Sequence, residues 1–231
     1  MRLVVFDLDG TITYRDTLLP YVTGYLARSG RSRLRMAQAV PTLAAFVLGA
    51  ADHGAVKSAF IHSTLGGASR EQLAAWTEQF VPWVIAKGSS PAALAAVRSH
   101  QAAGDLLVLM SASTDLYVPQ IAKALGFNEV ICTGLGFDAH GRLTGALVSA
   151  NRRGPEKVRC FEELKQRHPG LQTVAYGNAG SDLAHLRLAD VPRLVNASRR
   201  TLRQAASIGI APFANWNLTS RSAPATAPGK T

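Results

Sequence analysis

The chain has 231 residues, 47% of them hydrophobic, and a formal net charge of +10. This length and apolar content suit one α/β domain with an insertion, or two small domains, and exclude bulk disorder. The basic excess draws anions, but no nucleic-acid module or basic-aromatic interleaving is visible, so no nucleic-acid partner is expected.

Leu3 to Phe6 is an apolar run that reads as a buried strand. It delivers Asp7 and Asp9 to one sheet end, where Gly10 and Thr11 turn the chain. Strand residues two apart point to the same side. A parallel sheet gathers ligands at its strand carboxyl ends. Two close carboxylates repel unless a cation lies between them or one holds a proton. Both solutions are catalytic, and a strand with a polar turn is the bland alternative. Asp7 and Asp9 interrupt any apolar leader, so no signal peptide is expected.

Residues 16–102 read almost wholly as helix. Periodic stretches run from Asp16 to Arg28, Ser32 to Ala50, His53 to Leu65 and Ser69 to Ala86. Ser69 is a predicted N-cap, with Glu71 and Gln72 in the first turn after it. Gly66-Gly67 and residues 87–91 are breaks, and Pro91 opens a helix to His100. The apolar run Met36 to Ala50 is too short to span a bilayer and is broken by Pro41. Arg28 to Arg35 followed by apolar residues 37–50 is how a peripheral protein lies on an anionic membrane. Residues 28–50 are therefore an expected membrane contact, weighed against an ordinary buried helix.

From Asp105 the pattern alternates between strand and helix. Strands are predicted at Leu106–Met110, Val130–Cys132, Thr173–Tyr176, Arg193–Val195 and Ile208–Ala211. Helices are predicted at Asp115–Leu125, Pro155–Arg167, Ser181–Leu188 and Ser198–Ala206. The alternation argues a parallel sheet with helices on both faces. Gly134–Ser149 reads as a β-hairpin, and 219–231 reads as a disordered tail. The two cysteines, Cys132 and Cys160, are no disulfide framework and suit inert thiols in a reducing cytoplasm. The fold class is thus α/β, a Rossmann-like core split after its first strand by a helical insertion that overhangs Asp7 and Asp9.

Three later strand ends carry chemistry. Ser111-Ala112-Ser113 closes the second strand, where a hydroxyl and backbone N–H groups entering a helix suit a phosphate oxygen. A helix cap is the bland reading of Ser113. Lys157 falls near a helix start, where the helix dipole disfavours a cation unless an anion is present. Gly177-Asn178-Ala179-Gly180-Ser181-Asp182 is another strand, glycine turn and helix start.

Together these segments resemble the four motifs of the haloacid dehalogenase-like phosphohydrolases, in family order over residues 7–182. The closest likeness is to subfamily IB, which contains the phosphoserine phosphatases. The resemblance implies a C1-type helical cap over 16–87, on a hydrolase core of 1–15 and 88–218. It implies that Asp7 is a nucleophile forming an aspartyl-phosphate and that Asp9 is the acid/base. It implies that Ser111 binds the transferring phosphoryl group, beside Ala112 and Ser113, and that Lys157 neutralises charge. Mg²⁺ is the implied cofactor, held by Asp7, Asp9, Asn178 and Asp182. The family usually has Asp where Asn178 stands, so weaker Mg²⁺ binding is expected.

The implied substrate is a small or lipid-like phosphomonoester, in a cytoplasmic setting that includes the inner membrane face. In phosphoserine-specific relatives an acid at the place of Asp16 binds the substrate amine, and a helix cap is equally expected there. Those relatives carry a cap Arg where this chain has Phe60 to Gly66, without Arg. That counts against phosphoserine. His62 is expected to lie in the cap core. A non-catalytic phosphate-binding protein with a degenerate metal loop is the rival from another class.

Overall fold

The computed structural model describes residues 1–219. Strand β1 (Leu3–Phe6) is wholly buried at the middle of a six-stranded parallel sheet. On one side it pairs with β2 (Leu106–Thr114), which pairs with β3 (Glu129–Thr133). On the other side it pairs with β6 (Thr173–Gly177), then β7 (Val191–Val195) and β8 (Pro212–Ala214). Leu3 and Val5 face one layer of the core, and Val4 and Phe6 face the other, as a period of two requires. The chain leaves β1 for β2 in one direction and returns to β6 in the other. A crevice opens between two such strands at their carboxyl ends.

Between β1 and β2 the chain is helical. A wide turn (Leu8–Ile12) leads into α1 (Leu18–Arg28), a 3₁₀ segment (Arg33–Ala39), α2 (Val40–Val47), α3 (His53–Leu65) and α4 (Arg70–Trp83). A further wide turn (Val84–Gly88) precedes α5 (Pro91–Ala102). The single helix expected from Ser32 to Ala50 is therefore two pieces. Proline lacks an N–H and fits a first turn best, and Pro41 stands in the first turn of α2 rather than mid-helix, whereas Pro82 lies inside α4 one residue before its end. Ser69 caps α4 as expected, in a reciprocal capping box with Gln72.

The helical layer packs on one face of the sheet. Tyr21 of α1, Phe80 of α4 and Tyr117 form an aromatic cluster with ring centroids 4.7–5.4 Å apart. Burying a ring of this size stabilises by roughly 1.5–3 kcal/mol. After β2 come α6 (Val118–Ala124), β3, and an antiparallel hairpin of β4 (Leu135–Phe137) and β5 (Leu143–Leu147). The remaining helices are α7 (Pro155–Arg167), α8 (Leu183–Leu186), α9 (Arg199–Ala206) and α10 (Trp216–Thr219).

The hairpin lies against α3. Gly145 has φ +84°, and a Cβ there would stand 2.6 Å from the backbone of His62. Such an approach requires glycine. His62 is exposed, not in the cap core, and its Nδ1–H donates to the Thr144 carbonyl at 2.6 Å. Arg142 donates to the Gly67 carbonyl at 3.1 Å.

Four other boundaries differ from expectation. Strand β2 continues to Thr114, because the chain stays extended through the Ser111-Ala112-Ser113 segment. Helix α6 begins at Val118, after a turn. Helix α8 is only Leu183–Leu186. The last strand is Pro212–Ala214, because 208–210 turns at Gly209, whose φ is +77°. Of the tail expected over 219–231, Thr219 ends α10 and the rest lies outside the described residues.

Candidate active site

The carboxyl ends of β1, β2 and β6 bring Asp7, Asp9, Ala112, Ser113, Asn178 and Asp182 around one cavity of about 170 Å³. Helix α7 adds Lys157 from its first turn. The lysine is 3% exposed and donates to Asp7 Oδ1 at 2.6 Å and to Asp182 Oδ1 at 2.8 Å. One buried cation thus holds two buried carboxylates. Without it, desolvation and mutual repulsion would be severe.

Asp182 is further fixed by the loop after β6. Its Oδ2 accepts from the main-chain N–H of Asn178 at 3.2 Å and of Ala179 at 3.0 Å. Burial opposes its charge, but the Lys157 ammonium outweighs burial and holds its pKa at about 2. Asp7 goes the other way. Burial, with the nearby charges of Asp182 and Asp9, pushes its pKa up against the pull of Lys157.

Asp9 is anchored separately. Its Oδ1 accepts from Thr17 N–H at 2.8 Å and Thr17 Oγ1 at 2.7 Å, and its Oδ2 accepts from Ser113 Oγ at 2.5 Å. Burial and the charge of Asp16 raise its pKa, and these hydrogen bonds only partly offset the rise. A carboxyl with a raised pKa, clear of the lysine, suits proton transfer near neutral pH.

Thr11 Oγ1 lies 3.0 Å from Asp7 Oδ2 and 3.3 Å from the Asn178 amide oxygen. Two oxygen acceptors therefore converge on a hydroxyl that has one proton to give. With Asp182 nearby, the donor set is all oxygen, which suits Mg²⁺. Among the described residues no three His, Cys, Asp or Glu side chains cluster as metal ligands, and the Asn178 oxygen adds no charge to the donor set. Gly10 has φ +77°, and a Cβ there would stand 2.2 Å from the Asn178 amide, so the turn after β1 admits only glycine.

Ser111 is completely buried, and its Oγ accepts from Ser113 N–H at 3.0 Å, while Ala112 and Ser113 line the cavity. Asp16 lines the cavity and also caps α1, accepting from Leu18 N–H at 3.0 Å and Leu19 N–H at 3.1 Å. Both readings of Asp16 are compatible with this placement.

Sequence reading assigned no site role to Lys57, His53, Asn151 and Arg153, which line the cavity together with Leu18, Ala179 and Ser181. Lys57 of α3 crosses to the core, donating to the Ala112 carbonyl at 2.6 Å and to Asn151 Oδ1 at 2.5 Å. Burial lowers its pKa to about 8. A wider cavity of about 710 Å³ opens alongside, sharing His53, Asn151, Arg153 and Ser181, with Leu147 and Pro155 among its apolar walls.

Comparison with known proteins accords with this geometry. Residues 4–187 match the haloacid dehalogenase-like hydrolase family. Protein CicA of Caulobacter vibrioides is 33% identical over 193 residues, covering 81% of this chain and 83% of its own. A histidinol-phosphatase of Neisseria meningitidis is 28% identical, covering 90% and 96%. A Bordetella pertussis protein of unknown function has a similar crystal structure, with TM-score 0.74, 28% identity and coverage of 92% and 97%. A phosphoserine phosphatase structure shares the fold at TM-score 0.65 and 15% identity, covering 93% of each chain. The chain belongs to the haloacid dehalogenase-like hydrolase family.

Proposed function

We propose that this protein is a Mg²⁺-dependent phosphomonoester hydrolase working through an aspartyl-phosphate on Asp7. The observation that carries the reading is the division of labour between two neighbouring carboxylates. Asp7 is paired with Lys157, whereas Asp9 is held by hydroxyl and amide donors.

An oxygen of Asp7 attacks phosphorus, and the bond from phosphorus to the ester oxygen breaks. Asp9 gives its proton to the departing alkoxide. Water then attacks the acyl phosphate while Asp9 takes a proton back, and inorganic phosphate leaves with Asp7 restored. Splitting one displacement into two lowers each barrier. Lys157 offsets charge on the transferring oxygens. Ser111, whose Oγ is already an acceptor, keeps its O–H as a donor to a phosphoryl oxygen. Ala112 and Ser113 bound the same pocket. Mg²⁺, when bound, is held by Asp7, the Asp9 carbonyl, Asn178 and Asp182, and supplies positive charge for the phosphoryl oxygens.

Residues 16–87 act in this reading as a lid over a core of 1–15 and 88–218. The small cavity suits a phosphoryl group, and the wider one leaves room for a sizeable leaving group. Its apolar walls favour a small or lipid-like phosphomonoester, in a cytoplasmic setting. Histidinol phosphate is a natural first substrate to try, given the Neisseria relative's name. Phosphoserine is the second reading, because Asp16 and Lys57 offer an anion and a cation at one cavity.

A phosphomonoester panel with Asp7→Asn as control tests the proposal. Turnover that vanishes in the variant, with wild-type enzyme trapped by beryllium fluoride, supports the aspartyl-phosphate. An active Asp7→Asn variant overturns it, and a wild type silent on every ester favours a phosphate-binding protein.

A further inference from the structure

The least covered part of the described chain is α2 and the segment before it. No residue of α2 is buried, and its sequence, Val-Pro-Thr-Leu-Ala-Ala-Phe-Val, holds no charge. Leu34, Val40, Leu43, Val47 and Leu48 are 80%, 56%, 48%, 77% and 83% exposed. Large exposed apolar side chains elsewhere in the described residues are scattered singly, and single ones need no explanation. Val40, Leu43 and Val47 follow helical spacing and share one face of α2. Phe46 points elsewhere, its ring tilted against that of His53 with centroids 4.6 Å apart, which holds α2 to the start of α3 and leaves the apolar stripe turned outward.

The charge around this stripe has one sign. Between Asp16 and Asp52 the sequence has no acidic residue, and it has arginines at 28, 31, 33 and 35. Arg28 donates to Gln79 Oε1, Arg31 to the Gly66 carbonyl and Arg35 to the Ser63 carbonyl. None of these three partners is a carboxylate, and Arg31 also lies over the Tyr25 ring, so three cations stand without an acidic partner in the stretch that leads into the uncharged apolar helix.

We propose that α2 and the 3₁₀ segment before it dock on an anionic lipid surface. The Val40–Leu43–Val47 stripe, with Leu34 and Leu48, sinks into the boundary between headgroups and acyl chains, and Arg28, Arg31 and Arg35 meet lipid phosphates. A short helix with one apolar face and a cationic border is the form an interfacial anchor takes, and each arginine near an anionic surface adds to the attraction. A second copy of this chain is the poorer occupant. Pairing two such faces symmetrically would bring both sets of arginines together, and like charges repel. His53 joins α2 to the edge of both cavities, so the docked enzyme would present its cavity mouths near the lipid surface.

The proposal stands apart from the phosphatase reading, because docking requires none of the catalytic groups. It is tested on the full chain by co-sedimentation with vesicles of phosphatidylcholine alone and of phosphatidylcholine with phosphatidylglycerol. Wild type should sediment with the anionic vesicles and release as salt rises. The double variant Leu43→Glu, Val47→Glu should lose at least about tenfold in partitioning, and so should Arg28→Gln, Arg31→Gln, Arg35→Gln. Leu43 and Val47 lie outside the core, so for that variant the thermal melt and turnover of a soluble aryl phosphate should match wild type, and the arginine variant, which also gives up bonds to Gln79, Gly66 and Ser63, is compared at a temperature well below its own melt. No binding by wild type, equal binding to neutral vesicles, or a Leu43→Glu, Val47→Glu variant that binds like wild type overturns the proposal. A concentration-dependent dimer abolished by that variant also overturns it, and assigns the face to a second copy.

Discussion

Thr17 holds Asp9 through two donors, its main-chain N–H at 2.8 Å and its hydroxyl at 2.7 Å. Both favour the charged carboxylate, and burial together with Asp16 disfavours it. Thr17→Val keeps the shape and the N–H but deletes one donor, so the pKa of Asp9 should rise further. Asp9 must be charged to accept a proton from water. The acidic limb of the pH–rate profile should therefore move to higher pH. On that limb kcat should fall by up to about tenfold for every pH unit the limb moves. An unmoved acidic limb would show that Thr17 is only packing.

Lys157→Ala should act on both activity and stability. It leaves Asp7 and Asp182 buried without their shared cation. Unpairing a buried charge costs about 3–5 kcal/mol. Urea unfolding should show that loss in metal-free protein, with part of it restored by Mg²⁺. The kcat should stay at least about 100-fold down in either case, since metal cannot replace the donor. Normal turnover with lowered stability would make Lys157 purely structural.

Asn178→Asp should tighten Mg²⁺ binding. The added carboxylate joins Asp7 at the oxygen cluster around Thr11. A gain of about 1.4 kcal/mol, or tenfold in Kd, is the expected scale. Calorimetric titration reads it without reference to turnover. In metal-free protein the same change should lower the melting temperature, because two carboxylates then repel. An unchanged Kd would remove Asn178 from the metal site.

Asp105 supplies a pH effect far from the active site. It accepts from Arg2 N–H at 2.8 Å, the Arg2 guanidinium at 2.7 Å and His100 Nδ1 at 2.8 Å. Burial would raise its pKa, but these donors outweigh burial and hold it at about 2, against 3.8 for the free group. A depressed carboxyl stabilises the fold above its unfolded pKa, and the effect fades as pH falls toward the folded one. The scale is about 2 kcal/mol. Asp105→Asn should lose that stability at neutral pH and flatten the decline between about pH 4 and pH 2, as read by denaturant titrations.

The parts of the site that lie next to strand ends were legible in the sequence, and the parts delivered by packing were not. Asp7 and Asp9 follow an apolar run whose period sets their direction. Asp182 follows a strand and glycine turn in the same way. Lys57 and His53 belong to a helix whose own pattern gives no sign of where it leans, since its packing on β5 of the hairpin sets its tilt. Arg153 sits four residues before Lys157, yet nothing local separates it from Arg152, which pairs with Glu156 instead. Ser111 follows its predicted strand as Asp7 and Asp182 follow theirs, and the structure adds what the sequence did not show, that β2 runs on through it and leaves it completely buried, its Oγ accepting from Ser113 N–H. The division of the stretch from Ser32 to Ala50 was foreshadowed by Pro41, whose geometry overrides an apolar periodicity continuous on both sides of it.

The grip of the β4–β5 hairpin on α3 has a bearing on how such enzymes diverge. The chain enters and leaves the helical stretch near Thr13 and Ser89, which bridge each other, and the hairpin meets that stretch again at α3, where His62 donates to the Thr144 carbonyl. Any movement of α3 away from the sheet must break the hairpin contacts or carry the hairpin along. Two stretches far apart in sequence, 16–87 and 134–149, are therefore matched in shape at this contact. A helical stretch transplanted from a relative without its own hairpin would meet a surface shaped for the His62 backbone and Gly145. A chimera that exchanges both stretches is expected to melt higher than one that exchanges either alone.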